Sequence, residues 1–136
     1  MKAKEYLSQA YRLDQRIDAK IEQVMSLRNL AAKATSTLSD AMPSGTRNVH
    51  RMEDIIMRIF DLENEVNADI DSLVALKHEI VNVIKSVPNL EYQTLLELRY
   101  LCFKSWEQIA IEMNYSIQHI YRLREKAFKE IIIPET

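Results

Sequence analysis

Apolar residues recur every seven positions near the start of the chain. This spacing predicts a helix from Ala3 to about Leu38, with an apolar stripe on one side and charged residues over the rest of its surface. The stripe consists of Ala10, Ile17, Val24, Ala31 and Leu38, with Leu7 and Ile21 in a second row. A long helix with such a stripe needs another helix to cover it.

A second run of the same kind extends from about Val49 to Val87. Its seven-residue row is filled without a gap by Met52, Ile59, Val66, Leu73, Ile80 and Val87. Between the two runs, the segment from Ser36 to Gly45 contains small polar residues, Pro43 and the only glycine, which is typical of a loop. Thr46 or Asn48 is a suitable N-cap for the second helix.

Two helices of similar length joined by a short loop favour an antiparallel hairpin. Ile55, Ile56, Phe60 and Ile84 widen the apolar stripe of the second helix, so we expect further packing, most economically with a second copy of the chain. Pro88 ends the hairpin, since proline cannot continue a helix and restricts the residue before it. We therefore predict an all-α protein with two domains, a helical hairpin over residues 1–88 and a smaller domain over residues 89–136.

The smaller domain shows the signals of three short helices. The first spans Leu90 to Leu101, with leucines at helical spacing, and the second spans Trp106 to Met113. Ser105 and the glutamine three residues later form a capping-box pattern. Asn114 tolerates the left-handed conformation that a tight turn requires, and Ser116 is a suitable N-cap for the last helix. The pattern predicts a helix-turn-helix.

The last helix has a buried and an exposed face. Its inward stripe is predicted to be Ile120, Leu123, Ala127 and Phe128 or Ile131. At 100° per residue, the outward and flanking positions are Gln118, His119, Tyr121, Arg122, Glu125, Lys126 and Lys129. Gln pairs with adenine and Arg with guanine in the major groove, while Lys and Tyr reach phosphates. The predicted DNA-binding residues are Ser116, Gln118, His119, Tyr121, Arg122, Lys126 and Lys129.

The C-terminal part resembles region four of the bacterial vegetative sigma factor family. The resemblance is carried by Leu98-Arg99-Tyr100, Ser105 to Ala110, Tyr115-Ser116, Ile120-Tyr121-Arg122 and Lys126-Ala127. Gln108 stands where glutamate is commonest in that family, and Asn114 replaces the usual glycine. The whole chain is also similar to small phage and prophage regulators of Gram-positive bacteria.

These resemblances imply promoter-type DNA contacts by the last helix. The implied contacts are made by Ser116, Gln118, His119, Tyr121 and Arg122, with Arg124 and Lys126 near phosphates. Region four also binds the flap of RNA polymerase, so the resemblance makes RNA polymerase a second possible partner.

Composition agrees with few, long helices, because one glycine and three prolines in 136 residues leave little material for turns. The net charge of −2 is spread evenly: residues 1–89 carry 12 basic and 13 acidic groups, and the rest carry 6 and 7. Strong electrostatic binding of nucleic acid by one copy is therefore not expected. Pairing of two copies would double the DNA contacts, which favours a homodimer formed through the hairpin.

No constellation of residues suggests catalysis, so we expect no enzymatic activity, cofactor or small-molecule substrate. The three histidines are far apart in the sequence, and Cys102 has no CxxC partner, so a metal site is not expected. His78 is predicted to lie on the surface, and Cys102 is predicted to be a buried, inert thiol. A single cysteine and no long apolar run predict a cytoplasmic protein without a membrane span.

Three functions fit these features. The first is a sequence-specific, sigma-like transcriptional regulator that binds double-stranded DNA and controls late or developmental genes of a phage or prophage. The second is a protein-docking module on RNA polymerase. The third is a small, terminase-like subunit that recognises DNA during packaging.

Overall fold

The computed structural model describes residues 2–40 and 45–134, without the side chains of residues 36–48. The described residues form five helices and no strand, so the all-α prediction is confirmed for this part of the chain. The helices are α1 (Ala3–Asp40), α2 (Gly45–Lys85), α3 (Leu90–Tyr100), α4 (Trp106–Met113) and α5 (Ile117–Glu130). None of them is long and apolar enough to cross a bilayer.

The predicted loop between the long helices was wrong at both ends. Residues 36–40 continue α1, and α2 begins at Gly45 instead of Val49. Serine and threonine are only mildly unfavourable in helices, so backbone hydrogen bonding can continue past the end of the apolar pattern. Pro43 lies outside the described residues, as do the side chains of Thr46 and Asn48, the two predicted caps.

The chain divides into two compact units that do not follow the predicted domain boundary. One unit contains residues 15–71, and the other contains residues 1–14 together with residues 72–136. The C-terminal helices therefore share a unit with the first turns of α1 and the last turns of α2. The predicted functions of residues 1–88 and 89–136 remain predictions.

In the unit of residues 15–71, α1 and α2 run antiparallel. Lys20 donates a hydrogen bond to Asp69 over 2.6 Å, and Arg28 forms an ion pair with Glu63. The later residue of α1 pairs with the earlier residue of α2, so the two helices run in opposite directions. Between the helices, the predicted seven-residue rows supply buried Ile17, Val24 and Val66, with Ile55 and Leu62 beside them.

The unit of residues 1–14 and 72–136 has its own apolar core. Its buried residues come from all five helices and from Val87: Tyr6, Leu7, Ala10, Ile80, Val83, Ile84, Val87, Leu95, Leu96, Tyr100, Ile109, Ala110, Ile120, Leu123 and Ala127. Leu95, Leu96 and Ile109 are completely buried. Tyr100 lies in this core because it is four residues after Leu96 on the same side of the helix. The hydroxyl of Tyr6 donates a hydrogen bond to Glu79 Oε1 over 2.8 Å.

The connection between α3 and α4 contains a conformation that the sequence does not reveal. Phe103 has φ of 60°, in the left-handed region that a bulky residue normally avoids. Its ring contacts Tyr11 with centroids 5.5 Å apart, and the ammonium group of Lys77 lies 4.6 Å from its centre. Arg99 also donates to the carbonyl of Lys104 over 3.0 Å. Tertiary contacts thus hold this segment in place.

Cys102 lies in the same connection and is an exposed, free thiol, so its predicted burial was wrong. It follows the last turn of α3, where its amide donates to Glu97 O over 3.1 Å, and it therefore lies outside the apolar face of the helix. His78 is exposed, as predicted.

Candidate nucleic-acid interface

The ends of α4 are defined by side-chain and backbone hydrogen bonds. Ser105 Oγ accepts from the Gln108 amide over 3.2 Å, and Gln108 Oε1 accepts from the Ser105 amide over 3.0 Å. This arrangement is the predicted capping box. At the other end, Asn114 adopts φ 60° and ψ 40°, the predicted left-handed conformation. The next amide, that of Tyr115, donates to Ala110 O over 3.0 Å and closes the turn.

The start of α5 is fixed directly after that turn. Ser116 Oγ accepts a hydrogen bond from the His119 amide over 3.1 Å, which confirms Ser116 as the N-cap. The imidazole of His119 packs edge-on against Tyr115, with ring centroids 4.4 Å apart. The Tyr115 hydroxyl donates in turn to Glu91, which connects the turn to the first turn of α3. This hydrogen bond raises the pKa of Tyr115.

Burial divides α5 into two faces. Ile120, Leu123 and Ala127 are buried, as predicted, while Phe128 and Ile131 are half-buried. The predicted DNA-binding residues that are exposed on or beside α5 are Ser116, Gln118, Tyr121, Arg122, Lys126 and Lys129. His119 is half-buried. The structure therefore brings all seven predicted residues to one short stretch, with six of them open to solvent.

The charges on this stretch are better separated than the sequence suggests. Glu125 is the acidic residue among the outward positions, and both Nε and Nη2 of Arg124 lie 3.1 Å from its Oε1. Its charge is thus compensated locally. Among the described residues, Arg122, Lys126 and Lys129 have no ion-pair partner. The exposed face of α5 consequently presents three uncompensated cations beside Gln118.

Arg124 itself does not extend towards the outward face. Its guanidinium lies over two rings, with Cζ 4.8 Å from the centre of Tyr121 and 5.5 Å from that of Trp106. The side chain of Arg124 is about 29% exposed. The phosphate contact implied for Arg124 would require it to leave these rings.

A second arginine occupies the same aromatic group. Arg99, near the end of α3, places its Cζ 4.9 Å from the centre of Trp106. Tyr100 is edge-on to Trp106, with ring centroids 6.3 Å apart. Burial raises the pKa of the Tyr100 hydroxyl to about 12, although both arginines act in the opposite direction. These residues come together only through tertiary packing, so no spacing along the chain predicts the cluster.

Comparison with known proteins places the chain in a family. Residues 32–132 match the family described as "Protein of unknown function (DUF1492)". The chain belongs to this family. The match covers part of α1 and all of α2 to α5, including the complete exposed face of α5. Searches of the curated proteins and of the solved structures find no match.

Among the described residues, no group of three or more His, Cys, Asp and Glu side chains is arranged to hold a metal ion.

Proposed function

We propose that the protein is a sequence-specific DNA-binding transcriptional regulator and that α5 enters the major groove. The observation that carries this proposal is the exposed face of α5, where Gln118 and three cations follow a capped helix start, and these cations have no ion-pair partner in the part of the chain that the structure describes. A helix of 14 residues is about 21 Å long, which is enough to lie along the groove.

Base reading is assigned to the first turns of α5. Gln118 and Arg122 are four residues apart, so they lie one above the other on the same side of the helix. Glutamine can bond to N6 and N7 of adenine, and arginine to O6 and N7 of guanine. Together they would read two nearby base pairs, each worth about 1–3 kcal/mol of discrimination.

The remaining residues are assigned to the DNA backbone. Lys126 and Lys129 continue along the exposed face towards the end of α5, and the Tyr121 hydroxyl lies beside the first turns. Each cation that neutralises a phosphate makes the slope of log K against log salt steeper by about 0.9. Two to three such contacts per copy give modest affinity, which agrees with the nearly balanced charge of the chain.

Pairing of two copies would supply the missing affinity. In the unit of residues 15–71, α2 carries exposed Val49, Ile56 and Phe60, which fall within about 40° of one another at 100° per residue. Phe60 is 63% exposed, which is unusual for a large apolar side chain without a partner. We infer that this stripe pairs with its counterpart in a second copy, so that a dimer presents two α5 helices to two half-sites.

The sigma-like resemblance of residues 98–127 gives this proposal its biological setting. It supports a role in controlling phage or prophage genes, with the protein acting at promoter DNA. It adds no catalytic step, and we propose a non-enzymatic regulator.

The decisive experiment is selection of binding sites from a random duplex library, followed by gel-shift titration of the selected DNA. We expect Arg122→Ala and Gln118→Ala to weaken binding by about 1–3 kcal/mol and to relax the preference at one base pair each. Lys126→Ala should weaken binding to every sequence and lower the salt slope by about 0.9. Lys85→Ala, which removes an exposed lysine from the end of α2, is the matched control and should behave as the parent protein. Failure to enrich any sequence, or equal loss with Lys85→Ala and Arg122→Ala, would exclude base reading by α5.

A docking role on RNA polymerase is the second candidate, and one observation favours it. Ile111 on α4 is 78% exposed, and the domain of residues 89–136 carries one more acidic than basic group. An apolar side chain on a nearly neutral surface is more typical of a protein contact than of a DNA contact. Retention of RNA polymerase on the immobilised protein, lost with Ile111→Ser and retained with Arg122→Ala, would support docking in place of base reading.

A further inference from the structure

A cleft of about 320 Å³ lies in the unit of residues 1–14 and 72–136. It is formed by the first turns of α1, the end of α3, the connection into α4, and one side of α5. Its lining consists of Lys4, Ser8, Tyr11, Arg99, Tyr100, Phe103, Ser105, Trp106, Arg124, Glu125 and Phe128. This volume is within the range of small-molecule sites.

The charge in the cleft is unbalanced. Lys4, Arg99 and Arg124 contribute three cations, and Glu125 is the only acidic lining residue. Glu125 is paired with Arg124, and Lys4 has no ion-pair partner among the described residues. The two guanidinium groups are held near the same indole ring, at 4.9 and 5.5 Å from its centre. Two guanidinium groups that line one cleft with a single acidic residue favour a bound anion, and guanidinium groups match phosphate oxygens well.

The other side of the cleft is aromatic. Tyr11 is 44% exposed and is edge-on to Phe103, whose left-handed backbone places its ring in the lining. An aromatic surface in the same cleft as two arginines suits a ligand that has a planar ring and a phosphate group. Tyr and Phe rings stack with any nucleobase, independently of hydrogen-bond pattern.

We propose that this cleft binds a small nucleotide, with its phosphate held by Arg99, Arg124 and Lys4 and its base against Tyr11 and Phe103. The proposal is independent of DNA binding by α5, since it uses none of the seven predicted DNA-binding residues. The cleft does, however, meet that surface at one point, because Arg124 also lies over Tyr121. A bound phosphate that draws Arg124 towards the cleft would remove it from the Tyr121 ring.

Trp106 is the only tryptophan of the chain, so its single indole N–H resonance reports on the cleft directly. The full-length protein labelled with nitrogen-15 would be titrated with adenosine monophosphate and guanosine monophosphate. Adenosine, inorganic phosphate and a short DNA duplex would be titrated in parallel. We expect a saturable shift with the nucleotides and a Kd of about 10–100 μM, from the binding efficiency usual for small ligands. Adenosine and phosphate should each bind at least about tenfold more weakly, because each lacks one half of the interaction.

Variants assign the binding to these residues. Arg124→Gln should weaken nucleotide binding by about tenfold or more, as expected for loss of a charged hydrogen bond. Lys4→Gln should weaken nucleotide binding by a few fold. Because Lys4 is exposed, this variant should fold normally, and it tests the site even if Arg124→Gln does not fold. Lys85→Gln removes the same charge from outside the cleft and should leave the affinity unchanged.

Four outcomes would overturn the proposal. One is the lack of a saturable shift with either nucleotide at millimolar concentration. Another is equal binding of inorganic phosphate and nucleotide, which would leave only an anion site. The third is a shift with duplex DNA alone, which would assign the cleft cations to the DNA backbone. Unchanged nucleotide affinity in both Lys4→Gln and a folded Arg124→Gln would place the ligand elsewhere on the protein.

Discussion

The turn between α4 and α5 offers the sharpest test of how this sequence forms its C-terminal end. Asn114 has φ 60° and ψ 40°, and its position is exposed, so its contribution comes mainly from its backbone conformation. The left-handed region costs an ordinary L-residue roughly 1–2 kcal/mol, whereas asparagine visits it more readily and glycine without a steric penalty.

These costs give an ordered series for substitutions at position 114. Asn114→Ala should lower the free energy of unfolding by about 1 kcal/mol, because alanine bears most of the left-handed cost. Asn114→Val should lower it by about 2 kcal/mol, since a branched Cβ adds to the clash. Asn114→Gly should change it by less than about 0.5 kcal/mol, because relief of strain offsets the greater freedom of glycine in the unfolded chain.

Urea denaturation followed by circular dichroism would measure the series, with the fluorescence of Trp106, at the start of α4, as a second probe. Gln118→Val is a suitable control, because it places the same branched side chain at an exposed position with a right-handed helical backbone. An Asn114→Val protein no less stable than Gln118→Val would refute the reasoning, as would an Asn114→Gly protein less stable than Asn114→Ala.

Three further outcomes follow from other parts of the molecule. Ser105→Ala removes the side-chain half of the capping box and should cost about 1 kcal/mol in urea denaturation, whereas Ser105→Asp should retain most of the stability. Phe60→Ser should shift the dimer towards monomer in light scattering, whereas Ile111→Ser should not. If the parent protein is itself a monomer, pairing through α2 is refuted. If it forms a ring-sized assembly, the packaging-subunit function is favoured. The pKa of Tyr100 is raised to about 12 from its ordinary 10.0, mainly by burial, so its ionisation favours the unfolded chain. Tyr100 should therefore leave the unfolding free energy unchanged below pH 10 and lower it as the pH rises from about 10 towards 12. The fall should be smaller in Tyr100→Phe. An equally steep fall in that variant would assign the effect to other groups, such as Tyr6, whose pKa is also raised to about 12.

Local chemistry allowed both ends of α4 and the start of α5 to be predicted residue by residue. Ser105, Asn114 and Ser116 act through bonds to amides within a few residues, so their roles are readable from short spacing. The buried seven-residue rows of the long helices were also predictable in part, because this period follows from helix geometry. Ile17, Val24 and Val66 are buried, whereas Ile21 of the predicted second row is 40% exposed. In contrast, α2 begins at Gly45, four residues before Val49, in a segment that the apolar pattern does not constrain.

The cleft could not be predicted for a different physical reason. Its arginines lie 25 positions apart on α3 and α5, and Lys4 comes from the start of α1, so no sequence period relates them. Phe103 contributes its ring only because tertiary contacts hold a left-handed backbone that its sequence disfavours.

The contacts of Arg124 decide whether this cation is available to bind DNA. An angle of 100° per residue places it 40° from Ile120, at the edge of the buried face, but that angle does not show that two aromatic rings surround its guanidinium. With Arg124 over these rings and paired with Glu125, the cations that remain on the exposed face are Arg122, Lys126 and Lys129. A DNA-binding surface of this size is too weak for one copy at physiological salt, so the proposed DNA reading depends on pairing through α2. If the protein proves monomeric and still binds one DNA sequence tightly, contacts beyond α5 must exist, and the cations of the cleft are the first group to test.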